Sequence, residues 1–313
     1  MRVLSLFDGI ACGLVALKRC WIKVDKYYAS EIDQYAIQIA KKNHPEIEEI
    51  WDVKLIDGGN LNNIDLLIGG SPCQGFSNAG KKLNFNDPRS QLFFEYVRIL
   101  REVKPKYFLL ENVKMKKERV DIISTMLWVE PIEINSALVS GQNRKRLYRT
   151  NIPGITQPED KGILLKDVLQ DQVDEEYYYS NERRNKILAR KYEVTKRLEE
   201  LNSKCATLVT TGGGDHEKKI AVSHCPASRE FDGQGFRTDK VPTLCARDYK
   251  DAKVAVELQT KRIRKLTPIE YERLQTLPDN YTEGVSKTQR YKMLGNGRTV
   301  DVIKHIFSFI PKE

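Results

Sequence analysis

Val3-Leu4-Ser5-Leu6-Phe7-Asp8-Gly9-Ile10-Ala11 opens the chain, and its reading decides the fold. A short run with apolar positions passes straight into Asp-Gly, and a helical pattern follows over 14–20. Buried run, glycine turn and helix are the first half of a β–α–β unit. Outward from it the alternation continues. Strands are predicted at 26–29, 64–68 and 107–110, with helices at 33–43, 90–103 and 119–127. Two helices stop where proline follows, at His44-Pro45 and Lys104-Pro105. Runs at 132–136 and 146–150 close the series. The spacing predicts an α/β protein on a doubly wound, mostly parallel sheet, with ligands bound beyond the carboxyl ends of the strands.

From about Pro158 the pattern changes. Residues 174–203 are densely charged and read as helical, and 204–257 are rich in glycine, threonine and short β-like runs. Thr210-Thr211-Gly212-Gly213-Gly214-Asp215 reads as a loop, because no Gly-Lys-Ser/Thr follows to make a phosphate cradle. Helical patterning returns with Thr267-Pro268-Ile269-Glu270, an N-cap, a proline at N1 and a glutamate at N3. The expected organisation is one large domain from 1–157 and 261–313, with a smaller domain, 158–260, inserted.

The 313 residues are 30% charged and 40% hydrophobic, an ordinary soluble balance. No apolar run approaches the roughly 20 residues of a membrane span, and no signal peptide opens the chain, so a cytoplasmic, membrane-free protein is expected. The six cysteines, 12, 20, 73, 205, 225 and 245, contain no C-x-x-C pair. Neither a disulfide framework nor a metal site is expected. The net charge of +9 and basic clusters at 81–82, 98–106, 114–119, 144–149, 182–197 and 261–265 fit a polyanionic partner. On charge alone, a solvated basic face fits as well.

The chemistry gathers at three later loops. Gly70-Ser71-Pro72-Cys73-Gln74-Gly75-Phe76-Ser77 follows the strand at 64–68, Glu111-Asn112-Val113 follows the one at 107–110, and Gln142-Asn143-Arg144-Lys145-Arg146 precedes the last run. A lone cysteine after a strand is ordinarily a small core hydrophobe. Glu-Asn-Val or a basic turn alone is equally unspecific. In this order and register, however, the chain resembles the cytosine-C5 DNA methyltransferases of the phage and bacterial restriction-modification type. Its first motif also resembles the animal de novo enzymes. The resemblance covers residue 1 to about 150 and about 261 to 309.

That resemblance implies a Rossmann-like fold dependent on S-adenosylmethionine, with a target-recognition domain inserted. It makes Cys73 the nucleophile that adds to cytosine C6, so that C5 can take a sulfonium methyl group. Gln74 belongs to the same catalytic motif. Glu111 would address N3, Arg146 would contact the O2 side and hold Glu111, and Arg144 would face the site or a phosphate. The cofactor would lie against Phe7, Asp8, Gly9, Ile10, Ala11, Glu31, Ile32, Asp52, Val53, Asn296, Arg298 and Thr299, with Glu31 on the ribose and Asp52 on the adenine amino group. Ser77, Lys81, Thr243 and Leu244 would meet double-stranded DNA, from which the base must be flipped. The implied protein is a monomer in a bacterium or infected host, with a cognate restriction endonuclease as a further partner. Two alternatives are a tRNA cytosine methyltransferase and a catalytically silent DNA binder. The inserted basic segment argues against the first, and Cys73, Glu111 and Arg146 together argue against the second.

The departures from the family pattern involve every tryptophan. Trp21 and Trp128 stand just past helices, where a C′ glycine is expected, and Trp51 precedes Asp52 where the family has glycine. Conversely, Arg119, Arg149 and Arg298 stand where relatives often carry tryptophan. Two readings fit: codon reassignment in the source organism, or ordinary drift.

Overall fold

The computed structural model describes residues 1–70, 88–182, 241–242, 254–257 and 262–311. The described chain falls into two compact units. One comprises 1–135, 145–158 and 297–313, and the other 136–144 and 159–296.

The first unit is a seven-stranded sheet. Its strands are β1 (Arg2–Leu6), β2 (Lys26–Ser30), β3 (Glu48–Glu49), β4 (Leu66–Gly69), β5 (Tyr107–Val113), β6 (Ile132–Asn135) and, after the two-residue β7 (Gln142–Asn143) of the other unit, β8 (Lys145–Thr150). Their order is β3-β2-β1-β4-β5-β8-β6. The pairings from β3 through β5 are parallel, and β8 runs antiparallel to both of its neighbours. The sheet is doubly wound and mostly parallel, as the sequence predicts. Its order reverses between β1 and β4, which puts the switch point for a ligand at their carboxyl ends.

Alternation along β1 sends Leu4 and Leu6 into a core with Leu67, Phe93, Tyr96, Phe108, Leu110, Ile123 and Leu127. Phe93 and Tyr96 come from helix α3 (Pro88–Val103), and Ile123 and Leu127 from helix α4 (Lys117–Leu127), so these helices cover one face. Helix α1 (Cys12–Arg19) buries Leu14 through Leu17 and packs against the C-terminal helix, α7 (Val300–Phe307), where Arg19 meets Asp301 at 2.8 Å. Helix α2 (Gln34–Asn43) starts on Asp33, whose side chain caps the Tyr35 N–H.

This unit departs from the sequence reading at two strands. The strand predicted at 107–110 runs on to Val113, so Glu111 and Asn112 lie within β5, paired with Tyr148 and Leu147 of β8. Extra pairing with an antiparallel neighbour lengthens the strand beyond its apolar run. The short β3 carries no apolar run at all, and sequence periodicity passes over it.

In the second unit, β7 pairs in parallel with β9 (Val241–Pro242), and β10 (Val254–Glu257) with β11 (Arg262–Lys265) in antiparallel fashion. Helices α5 (Pro268–Leu274) and α6 (Lys287–Asn296) follow. The predicted capping box on α5 is present: the Glu270 N–H donates to Thr267 Oγ1, and Glu270 Oε2 accepts from the Thr267 N–H at 2.7 Å. Pro268, Glu270, Tyr271, Glu272 and Leu274 of this helix are buried. Arg264 donates to both oxygens of Glu270, at 2.8 and 2.9 Å. The helix predicted across 174–203 does not begin at 174: a 3-10 turn, Glu175–Tyr177, and a bridge from Tyr178 to Arg264 come first, and Asn181 and Glu182 are helical. No helix among the described residues is long and apolar enough to cross a membrane.

Candidate active site

The turn after β1 is built on alternating left-handed backbone, with φ of 54° at Phe7, 67° at Gly9 and 61° at Ala11. Glycine adopts this freely; Phe7 and Ala11 do so at a cost of about 1–2 kcal/mol each. Such strain is typically held at ligand-facing turns. The Gly9 N–H donates to Glu31 Oε2 at 2.9 Å, across the carboxyl ends of β1 and β2. Glu31 Oε1 accepts from the N–H groups of Ile32 and Asp33, at 2.8 and 2.9 Å. Glu31 is therefore locked in place by three backbone donors: Oε1 has both lone-pair sites filled, and Oε2 keeps one for a hydroxyl.

Asp8 is buried, accepts from Tyr27 OH at 2.7 Å, and has its carboxyl raised above the usual range by that burial. Ile10, Ala11 and Val53 are buried as well, whereas Ile32 is exposed. Asp52 caps the short turn after it, Oδ1 accepting from the Lys54 N–H at 3.0 Å. Thr299 N-caps α7. Asn296 ends α6 in the second unit and is exposed.

Glu111 marks the other half of the rim. It sits opposite Tyr148 in the β5–β8 ladder, while Arg146 sits opposite Val113. Arg146 is thus the diagonal neighbour of Glu111 on one face, a spacing that long side chains can bridge. Arg146 Nε lies 3.5 Å from Glu111 Oε1, and Arg298 Nε lies 3.3 Å from Oε2. Arg298 also lies over the end of β4, where a Cβ on Gly70 would stand 2.9 Å from its Nη2. The one preceding glycine has a similar reason: a Cβ on Gly69 would meet the Tyr96 ring at 2.5 Å. The chain leaves the described rim at Gly70, three residues before Cys73.

Cys73, Gln74, Ser77, Lys81, Thr243 and Leu244 lie outside the described residues. Arg144 belongs to the second unit, buried, with Nη1 3.4 Å from the Gly295 carbonyl. Gln142 is anchored in the same unit on the Leu274 carbonyl. The structure brings together Gly9 with Glu31, and Glu111 with Arg146. The contact of Arg298 with Glu111 was not foreseen, because nothing local links residues so far apart. Tyr27 was missed too, although its place on the alternation of β2 could have flagged it. A third omission is Glu49 on β3, whose buried oxygens have no hydrogen-bond partner among the described residues and whose carboxyl is pushed up to about 7 by burial, with Asp8 and Glu31 adding to the rise.

A doubly wound sheet with an acid after β2, a strained turn after β1 and an Arg–Glu cluster at β5 defines a Rossmann-like α/β enzyme. Residues 1–127 and 136–312 match the C-5 cytosine-specific DNA methylase family. The chain is 32% identical to the type II methyltransferase M1.ScrFI of Lactococcus lactis subsp. cremoris, over 97% of this chain and 76% of that protein. It is 29% identical to the orphan methyltransferase M.SPRI of Bacillus phage SPR, over 98% of this chain and 96% of that one. Among solved structures, the Entamoeba histolytica methyltransferase EhMeth superposes with a TM-score of 0.71 at 18% identity, covering 99% of this chain and 97% of that one. The chain belongs to the C-5 cytosine-specific DNA methylase family and is a methyltransferase.

Proposed function

We propose that the protein methylates C5 of a flipped cytosine in double-stranded DNA, through a covalent adduct between Cys73 and C6. The observation that carries this reading is Glu111, held between Arg146 and Arg298 on the rim that β4 leaves toward Cys73. S-adenosylmethionine, when bound, supplies an electrophilic sulfonium methyl group. The donor chemistry fits that cofactor: Glu31 and Asp52 offer carboxylate oxygens to ribose and adenine, and the Phe7–Ala11 turn offers a close backbone approach.

The chain's own residues do the rest. The Cys73 thiolate adds to C6 and places electron density on C5. Glu111 presents a proton to N3, which makes that addition feasible. Arg146 offers its fixed fork to the neighbouring carbonyl and orients Glu111. After transfer, solvent acting as base takes the C5 proton, the C6–S bond breaks to release the Cys73 thiolate, and N3 returns its proton to Glu111, which restores aromaticity. Residues 158–260 would read the DNA sequence, with 1–157 and 261–313 performing the chemistry.

Labelled cofactor with unmethylated duplex DNA or tRNA separates the readings. Label is expected in DNA alone, and Cys73→Ala is expected to lower transfer by at least about 10³-fold. Duplex DNA carrying 5-fluorocytosine should trap the chain covalently. Undiminished transfer by Cys73→Ala would falsify the mechanism.

A further inference from the structure

The three tryptophans of the chain share two properties. Their backbones are left-handed, with φ of 58° at Trp21, 56° at Trp51 and 58° at Trp128. Their side chains stand in solvent, 95%, 48% and 88% exposed. Left-handed backbone occurs in a few per cent of non-glycine residues, so three of three by chance is on the order of one in ten thousand. Tryptophan ordinarily contributes through buried ring surface, whereas Trp21 and Trp128 bury little and Trp51 only about half.

The local bonding names the residue each post suits. After α1, the Trp21 N–H donates to the Lys18 carbonyl and the Ile22 N–H to the Leu17 carbonyl, both at 3.1 Å. That pair of bonds closes a Schellman motif, whose left-handed position glycine usually fills. Trp128 is the left-handed cap of α4. At Trp51 the main chain is fixed, its carbonyl accepting from Ser30 Oγ at 2.6 Å, while the ring is half in water. Thr276 holds a similar post after α5 with φ 56°, but its Oγ1 bonds the Gln275 carbonyl at 2.7 Å. Asn63 and Asn280 are of a type that tolerates this backbone. Glycine satisfies all three tryptophan posts, and the chain loses little packing by having it there. Drift has no reason to confine every tryptophan to one backbone state.

We infer that the codon written as tryptophan at 21, 51 and 128 is decoded as glycine in the organism that makes this protein. The gene should carry one and the same codon at the three positions, and not UGG. Tryptic peptides of the native protein spanning 20–23, 43–54 and 120–144 should each be lighter by the difference between an indolylmethyl group and a hydrogen. In a host with the standard code, the chain with Trp21→Gly, Trp51→Gly and Trp128→Gly should melt on the order of 5 °C higher than the printed chain. The matching alanine triple, which drops the rings but keeps each Cβ, should gain less than half of that. Glycine lowers stability wherever positive φ is not required, so the sign is diagnostic. A native peptide with tryptophan at any of the three positions, a UGG codon there, or a glycine triple melting below the printed chain overturns the inference.

Discussion

Glu270 in the second unit and Glu111 in the first are both buried carboxylates facing arginine, yet their surroundings differ in kind. Glu270 is saturated: two bonds from Arg264, one from the Thr267 N–H and one from the Gln170 N–H, all between 2.7 and 2.9 Å. Glu111 meets its two guanidiniums at 3.3 and 3.5 Å, longer than charge-assisted bonds ordinarily are. The scaffold uses all the lone pairs of one carboxylate; among the described residues the other keeps capacity for a further partner. A third, Glu49, sits at the far end of the series, with its oxygens unbonded among the described residues. Burial alone therefore says little about a carboxylate, and the saturation of its oxygens says a good deal.

Mutation separates these carboxylates. The largest effect is expected for Glu111→Gln, which should reduce kcat for methyl transfer by about 10²- to 10⁴-fold. Its melting temperature should fall less than that of Glu270→Ala. The latter strands a buried Arg264 and should cost about 3–5 kcal/mol of stability, read by denaturant unfolding. Equal destabilisation by the two changes would erase the distinction. The smallest effect belongs to Glu49→Gln. Because burial raises Glu49 to about 7, its protonated form suits the fold. Its stabilising contribution is complete below the unfolded value near 4.5 and is lost as pH rises through 7. Glu49→Gln should therefore match the parent near pH 4 and exceed it by about 1 kcal/mol at pH 8, after discounting for solvent screening. An equal gain at both pH values would show that Glu49 does not titrate in this way.

What was legible in the sequence was local. The turn at Phe7–Ala11 and the capping box from Thr267 to Glu270 each lie within a few residues, where steric and hydrogen-bonding rules act directly. Glu111 and Arg146 were paired through resemblance to a family, since no rule of spacing joins two strands that the sheet makes neighbours. The position of β8 between β5 and β6 depends on all three strands at once, and it is why Glu111 lies inside a strand rather than after one. The approach of Arg298 to Glu111 needs the whole sheet in place. The two-residue β3 was illegible because its pairing, not its composition, makes it a strand.

The left-handed post after α1 has a consequence outside chemistry altogether. A dihedral angle of 58° at residue 21 constrains which monomer a ribosome can profitably insert there. Repeated at 51 and 128, it works as a check digit: a folded backbone retains information about its own dictionary, and a gene read with the wrong one betrays the error as a shape.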